Sequence, residues 1–378
     1  MENINVITII GIISFFVCCL LILFILTVKT KKKLSNYLFA FFLTLVALDI
    51  CGWFINTILN TPKCLVLFRS NLTFLQLPLF YLYILSVCFS DFRLKRRHLL
   101  HAIPFLIVNI ILIPNFYAAD LDAQFEFLEN ATAQIEIQSI HLFIHIQVAF
   151  YFILIFLTLN RFKKLYRQNY TSSGTKIFTW LFQISIIFLM FHIIALFKNV
   201  FKFSSSLDVF NTLQTLAGLF VLGIICWYVL KALNHPELFR GIDSKLKLIT
   251  ILKTEEGPDE HQSHTDLDKL KSYMIEKEPY LEPTLSLQNL ANELEIPSRE
   301  LSILINTHVG QHFFDFINHY RIEKAKMILR NKDLNQLTVL EILYDVGFNS
   351  KSSFNTAFKK HTDVTPTQYR KRFSIAIT

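Results

Sequence analysis

The chain has 378 residues, of which 53% are hydrophobic and 17% charged, with 38 phenylalanines and only 9 glycines. The formal net charge is +8, and charge is sparse in the first two thirds and dense in the last third. This asymmetry excludes a single soluble domain and puts a membrane part before a soluble part.

Seven apolar runs come close to the roughly 20 residues that a spanning helix needs: 4–28, 34–59, 65–89, 99–118, 139–160, 177–198 and 208–231. The first lacks a basic leader and is too long for a signal-peptide core, so it reads as a retained span. The fourth is interrupted by Pro104 and Pro114, which a spanning helix tolerates when neighbours satisfy the freed backbone. The loops after spans one, three and five carry thirteen Lys and Arg, against four (Lys63, Arg69, Lys198 and Lys202) on the alternate side. The long loop 119–138 has no basic residue and is acidic. The basic side is therefore expected to be cytoplasmic, with the N-terminus outside and the tail after Lys231 inside.

Asp49, Asn56, Asn109, His145, Gln147, Gln183, His192 and Gln214 are polar residues inside these spans. In hydrocarbon they should face the bundle interior. They read either as interhelical hydrogen bonds or as a signal pocket, for which Asp49, Asn56, His145 and His192 are the candidates. His141 and His145 share a helix face at metal-ligand spacing, but no third ligand is fixed by the sequence. The six cysteines fall in or beside apolar runs at no metal spacing, and no cofactor is expected. HExxH, GxSxG and phosphate-loop motifs are absent, so no catalytic residue is expected.

Residues 232–280 read as a cytoplasmic linker. Pro236 and Gly241 end the last span, 244–253 reads as a short strand or helix on the membrane surface, and 255–265 as a joint. Leu267, Leu270 and Met274 recur at helical spacing and predict a helix from about Asp266.

From residue 281 the helix signals sharpen. Ser286 is placed to cap a helix carrying Leu287, Leu290, Ala291 and Leu294, and Ser298 to cap the next, over 299–309, with Leu301, Leu304 and Ile305 inward. A long helix over about 313–330 follows. The pattern then repeats. Thr338-Val-Leu-Glu341 is a capping box, Gly347 is set to leave its helix in the left-handed conformation, Ser350 caps a helix over 351–361, and Thr365-Pro366 opens the last one. Two helix-turn-helix units about 50 residues apart, joined by one rigid helix, suit two adjacent major-groove segments of double-stranded DNA. From Ser350 onward there are six basic residues against one acid, Asp363, a nucleic-acid footprint.

Residues 281–373 resemble the AraC/XylS family of bacterial transcription regulators. The resemblance is carried by Gly347-Phe348-Asn349-Ser350-Lys351-Ser352-Ser353-Phe354, Phe358-Lys359-Lys360, Thr365-Pro366 and Tyr369-Arg370. It implies base contacts from Arg299, Ser302 and Ile303 in the first unit and from Lys351, Ser352, Asn355 and Thr356 in the second. The phosphate contacts expected are Lys359, Lys360, Arg370 and Lys371. Three positions depart from the family pattern: Ile303 where arginine is frequent, Leu343 in place of alanine, and Asp363 in place of glycine. The membrane half resembles, in architecture alone, the seven-helix sensor regions fused to this domain in some regulators.

The whole reads as an all-α protein: a seven-span sensor or anchor over 1–231, the linker, and a DNA-binding domain over 281–378. It would sit in a bacterial inner membrane and answer a small-molecule or envelope signal. A homodimer is compatible with two units per chain but not required. A passive anchor, proteolytic release, and a transporter with a regulatory tail are the competing readings.

Overall fold

A computed structural model describes residues 5–28, 33–59, 61–89, 91–169, 175–203, 207–234, 260–334 and 336–375. Every regular element among them is helical. The chain divides into two compact units, Met1–Asn160 with Thr179–Leu248 and Arg161–Phe178 with Ile249–Thr378.

The first unit begins with α1 (Val6–Thr27), α2 (Lys33–Cys51) and the single turn α3 (Ile55–Ile58). Then come α4 (Lys63–Asn71), α5 (Thr73–Cys88), α6 (Ile103–Ile111) and α7 (Leu121–Glu129). The long helices α8 (Ile135–Asn169), α9 (Thr175–Lys202) and α10 (Leu207–Asn234) complete the set, apart from the end of α8 and the start of α9, which fall in the Arg161–Phe178 stretch of the second unit. Six segments are long and apolar enough to cross a membrane: α1, α2, Lys63–Cys88, Ile135–Tyr166, Phe178–Lys202 and Asp208–Lys231. Their outer surfaces carry many large apolar side chains, although Gln183, expected to face inward, is exposed on α9. On α1, Ile10, Ser14, Cys18, Leu21 and Ile25 are buried, while Val6, Ile9, Ile13, Phe16, Leu20 and Leu23 form an exposed stripe. On α8 the exposed stripe is Leu142, Ile146, Phe150, Ile153 and Leu157. A helix apolar all round belongs in a large core or a bilayer.

Aromatic rings tie the interior together. Phe39 of α2 lies 4.6 Å from Tyr83 of α5 and 5.1 Å from Tyr228 of α10, and Phe80 lies 4.8 Å from Phe188 of α9.

The fourth predicted span is not one α-helix. Arg96–Ala102 is a 3₁₀ stretch, α6 follows, and Ile113–Tyr117 is a π turn. The prolines account for the divisions: Pro104 lies in the first turn of α6 and Pro114 in the first turn of the π segment, where a missing N–H is harmless. Val108, Leu112 and Phe116 nevertheless keep one buried face, packed with Phe74, Phe127, Ile137 and Ile140. Asn109 accepts hydrogen bonds from Asn71 Nδ2 at 3.2 Å and Tyr117 Oη at 2.8 Å. Gln147 Nε2 donates to the Phe74 carbonyl at 2.9 Å. These two polar residues therefore serve interhelical bonding.

Two further expectations change. The second span ends at Cys51, not 59, because Gly52–Phe54 leave the helix. The acidic loop contains α7, capped by Asp120 accepting from the Ala123 N–H at 2.9 Å.

In the second unit, α11 (Glu260–Glu276) begins about six residues before the expected Asp266 and buries Leu270 and Met274. It is followed by α12 (Leu287–Leu294), α13 (Ser298–His308), α14 (Phe313–Arg330), α15 (Val339–Asp345), α16 (Lys351–Thr362) and α17 (Pro366–Ile375). The expected linker features at 244–253 and most of 255–265 lie outside the described residues. One apolar core joins α11, α12, α13 and the start of α14, and a second joins the end of α14 to α15, α16 and α17.

Candidate functional site

The turn chemistry of the second unit sets its geometry. Ser286 accepts from the Asn289 N–H, Ser350 from the Ser353 N–H, and Thr338 with Glu341 forms the reciprocal capping box. Ser298 is a correction: the N-cap is Pro297, and Ser298 is the first helical residue with its hydroxyl turned inward. Gly347 has φ +85°, and a Cβ there would lie 2.6 Å from the Tyr280 carbonyl oxygen. Asp363 ends α16 at φ 60°, the left-handed position that an aspartate tolerates. Leu343 is fully buried in the second core, so the larger side chain is accommodated.

Arg321 of α14 is 1% exposed. Its Nε donates to the Tyr280 carbonyl at 2.6 Å and its Nη2 to the Glu282 carbonyl at 2.8 Å, while the guanidinium lies 5.5 Å from the Phe348 ring centre. Burial pulls its pKa down to about 10, so it stays charged at neutral pH. Lys324 adds a 2.7 Å ion pair to Glu278. The entry segment 278–282 is thus held to α14. Arg321 was not singled out from the sequence, because its partners lie about 40 residues away.

On α16, Lys351, Ser352 and Thr356 are exposed and Asn355 is half-buried. On α13, Ser302 and Ile303 are half-buried, and Asn306 Nδ2 donates to the Ser302 carbonyl at 2.7 Å. Arg299 lies in the first turn of α13; its side chain is outside the described ones. Lys359 and Lys371 are exposed. Lys360 is paired with Asp315 of α14 at 2.8 Å, which ties α16 to the first turn of the connecting helix. Arg370 is half-buried, with Nε and Nη2 turned into the domain. Of the four expected phosphate contacts, Lys359 and Lys371 are therefore the freely presented pair. Asn306, Gly310, Gln311, His312, Asp315, Lys360 and His361 line a cleft of about 330 Å³ beside this ion pair.

In the first unit a cavity of about 70 Å³ lies among α1, α2, α5, α9 and α10. Its walls are aromatic and aliphatic, and its polar residues are Asp49, Gln76, His192 and Tyr228. It is well below the roughly 300–1,000 Å³ of a drug-sized site. Two of the four expected pocket residues, Asp49 and His192, meet here. The other two do not: Asn56 is bonded to the Thr61 hydroxyl and His145 to Asn199. His192 Nδ1 lies 2.8 Å from the Phe188 carbonyl, so that nitrogen carries the proton and Nε2 is an acceptor. Gln76 was missed because one glutamine in an apolar run gives no local sign of which way it faces. His141 and His145, which share a helix face at metal-ligand spacing, are each engaged elsewhere. Each Nε2 faces a nitrogen, Lys202 Nζ at 3.0 Å and Asn199 Nδ2 at 3.2 Å. Among the described residues no three His, Cys, Asp or Glu converge as metal ligands.

Comparison with known proteins finds matches over this C-terminal part. A family model described as a helix-turn-helix domain matches residues 290–372. The chain is 30% identical over 102 residues to the HTH-type transcriptional regulator CdhR of Pseudomonas aeruginosa, covering 27% of this chain and 30% of that protein. It is 30% identical over 107 residues to the regulator MtrA of Neisseria gonorrhoeae, covering 28% and 34%. The match thus spans about a third of those relatives. Among solved structures, the C-terminal domain of AraT, a response regulator from Geobacillus stearothermophilus, is similar at 27% identity and a TM-score of 0.26, covering 32% of this chain and 88% of that one. The C-terminal part of this chain is an AraC-type helix-turn-helix domain, and it follows a region with six candidate membrane helices.

Proposed function

We propose that the chain is a membrane-bound one-component transcriptional regulator. A signal received by the helical N-terminal region alters the DNA affinity of the AraC-type tail. The observation that carries this reading is the presence in one polypeptide of a helix-turn-helix domain and of helices whose exposed faces are apolar stripes. Such faces on α1 and α8 suit lipid, not water.

The topology proposed has seven spans. Arg96–Tyr117 would be the fourth, since its 3₁₀, α and π turns are separated only by Leu112 and together extend roughly 30 Å. The charge of the loops then puts the N-terminus outside and the tail in the cytoplasm of a bacterial inner membrane. The proposed domains are 1–231, a linker 232–280, and 281–378. Promoter DNA would be read by Arg299, Ser302 and Ile303 of α13 and by Lys351, Ser352, Asn355 and Thr356 of α16. Lys359 and Lys371 would contact phosphates, with Lys360 and Arg370 joining if they leave their present surroundings.

Binding of the detergent-solubilised chain to fragments of its own upstream region, across a salt series, tests this. A specific complex that weakens steeply with salt and loses specificity in Asn355→Ala is expected. No specific complex at any salt would remove the proposal.

A further inference from the structure

One polar cluster in the first unit is left over from both the DNA-reading tail and the apolar cavity, and its unused groups are mostly donors. Lys202 Nζ of α9 lies 3.0 Å from His141 Nε2 of α8, and Asn199 Nδ2 lies 3.2 Å from His145 Nε2. An ammonium can only donate, so the Nε2 of His141 accepts and its proton sits on Nδ1. The amide of Asn199 imposes the same tautomer on His145. Lys198, the neighbour of Asn199, is close enough to His145 and Lys202 to act on both electrostatically. All five side chains are half-buried.

The charge of this cluster is not balanced. Asp49 of α2 is the acid that acts on Lys198, and Asp49 is itself shared with Arg69, which donates at 3.0 Å to the Asp49 carbonyl. Lys198 and Arg69 thus share one carboxylate, and the charged neighbour that acts on Lys202 is another cation, Lys198. Among the described residues neither lysine forms an ion pair. Half-buried cations without a counter-charge are costly. The remaining donors, on the two ammonium groups and the two imidazole Nδ1 atoms, outnumber the one remaining acceptor of the cluster, the Asn199 Oδ1.

We propose that the α8–α9 end formed by Lys198, Lys202, His141 and His145 binds an oxyanion, a carboxylate or phosphate. The anion would bridge the two helices and supply the missing acceptor and the missing negative charge. It comes either as a dissolved small anion or as the headgroup of an anionic lipid. As the input of a sensor this site rests on the function proposed above; as a binding site it does not.

The test uses the full chain in detergent and in nanodiscs of zwitterionic lipid, with or without phosphatidylglycerol. Tryptophan-detected melting is followed during titration with sodium phosphate or acetate, against sodium chloride at matched ionic strength. A saturable stabilisation by phosphate or acetate over chloride is expected if the source is a dissolved anion. A higher melting point in the phosphatidylglycerol discs, without added oxyanion, is expected if it is a headgroup. Lys198→Gln and Lys202→Gln should each weaken the half-response about tenfold or more, the worth of one charge-assisted hydrogen bond, while Lys202→Arg retains it. Should a glutamine variant not fold, saturable broadening of the phosphate ³¹P resonance by the native chain, competed by acetate, reads the same site. Equal melting in all salts and both discs, or glutamine variants that respond like the native chain, would overturn the proposal. Oxyanion binding with no change in DNA affinity would keep the site and remove its role as the sensor's input.

Discussion

Arg321 and Gly347 meet at one backbone oxygen. Arg321 Nε donates to the Tyr280 carbonyl at 2.6 Å, and a Cβ on Gly347 would stand 2.6 Å from that same oxygen. The arginine belongs to the connecting helix and the glycine to the turn of the second helix-turn-helix, while Tyr280 belongs to the segment that enters the domain.

Gly347→Ala should therefore damage more than a turn. The left-handed backbone alone costs a non-glycine residue roughly 1–3 kcal/mol when the surroundings impose it. The new methyl would also push on two carbonyls, those of Tyr280 and Leu281. Hydrogen exchange of the solubilised chain should show amides of α12 through α17 exchanging faster than in the native protein. Unchanged exchange would mean that the entry segment moves aside at little cost.

Arg321→Met keeps most of the stem but leaves the Tyr280 and Glu282 carbonyls without their donor. A loss of about 2–5 kcal/mol is expected, typical of removing one partner of a buried charged network. Arg321→Lys should recover only part of it, because a single ammonium does not reproduce the fork that reaches both carbonyls. Denaturant unfolding, followed by exchange of the α14 amides, would rank the three proteins. Full recovery by lysine would show that charge alone is needed.

Acid should weaken the tail in two stages. The His361 imidazole is held below its ordinary pKa first by burial, then by His319 and Lys360. Its folded pKa is depressed, so the unfolded chain takes up the proton first and stability falls as the pH drops through about 6.5. Glu278 is held low by its hydrogen bonds to Lys324 and Tyr280, and Glu341 by the Thr338 N–H and hydroxyl. Their contributions are present above about 4.3 and are lost as the pH falls below that value. Protection factors, taken as exchange rates relative to the intrinsic rate at each pH, should fall from pH 8 downward in these two steps, about pH 6.5 and 4.3, and His361→Gln should remove the first alone.

Much of the second unit was legible in advance because its signals are local. Ser286, Thr338 with Glu341, Ser350 and Asp363 act within three or four residues of their own positions, and each stands where its chemistry is used. Ser298 failed because Pro297, fixed in φ, already serves as the helix boundary. The contacts that assemble the tail were not legible: Arg321 reaches 41 residues to Tyr280, and Lys360 reaches 45 to Asp315. In the N-terminal region, apolar length marked the candidate spans and Pro104 and Pro114 marked the fourth as interrupted, but neither showed that it divides into 3₁₀, α and π turns. Lys198 and Lys202 were counted for orientation, and only the fold brings Lys202 onto His141.

The two lysines at the end of α16 should contribute unequally to DNA binding. Lys359 is exposed, whereas Lys360 is bound to Asp315, whose side chain is only 18% exposed. Each phosphate neutralised adds about 0.9 to the slope of log affinity against log salt. Lys359→Ala should therefore lower that slope by about 0.9, and Lys360→Ala should leave it nearly unchanged. Asp315→Asn frees Lys360, and should steepen the slope and tighten binding to DNA of any sequence. Filter binding of the solubilised chain to operator and random duplexes, from low to physiological salt, separates these cases. Equal slope losses for Lys359→Ala and Lys360→Ala would mean that Lys360 exchanges Asp315 for a phosphate on the operator. The Asp315 pair would then be a latch that opens on binding, and Asp315→Asn would change the affinity but not the slope.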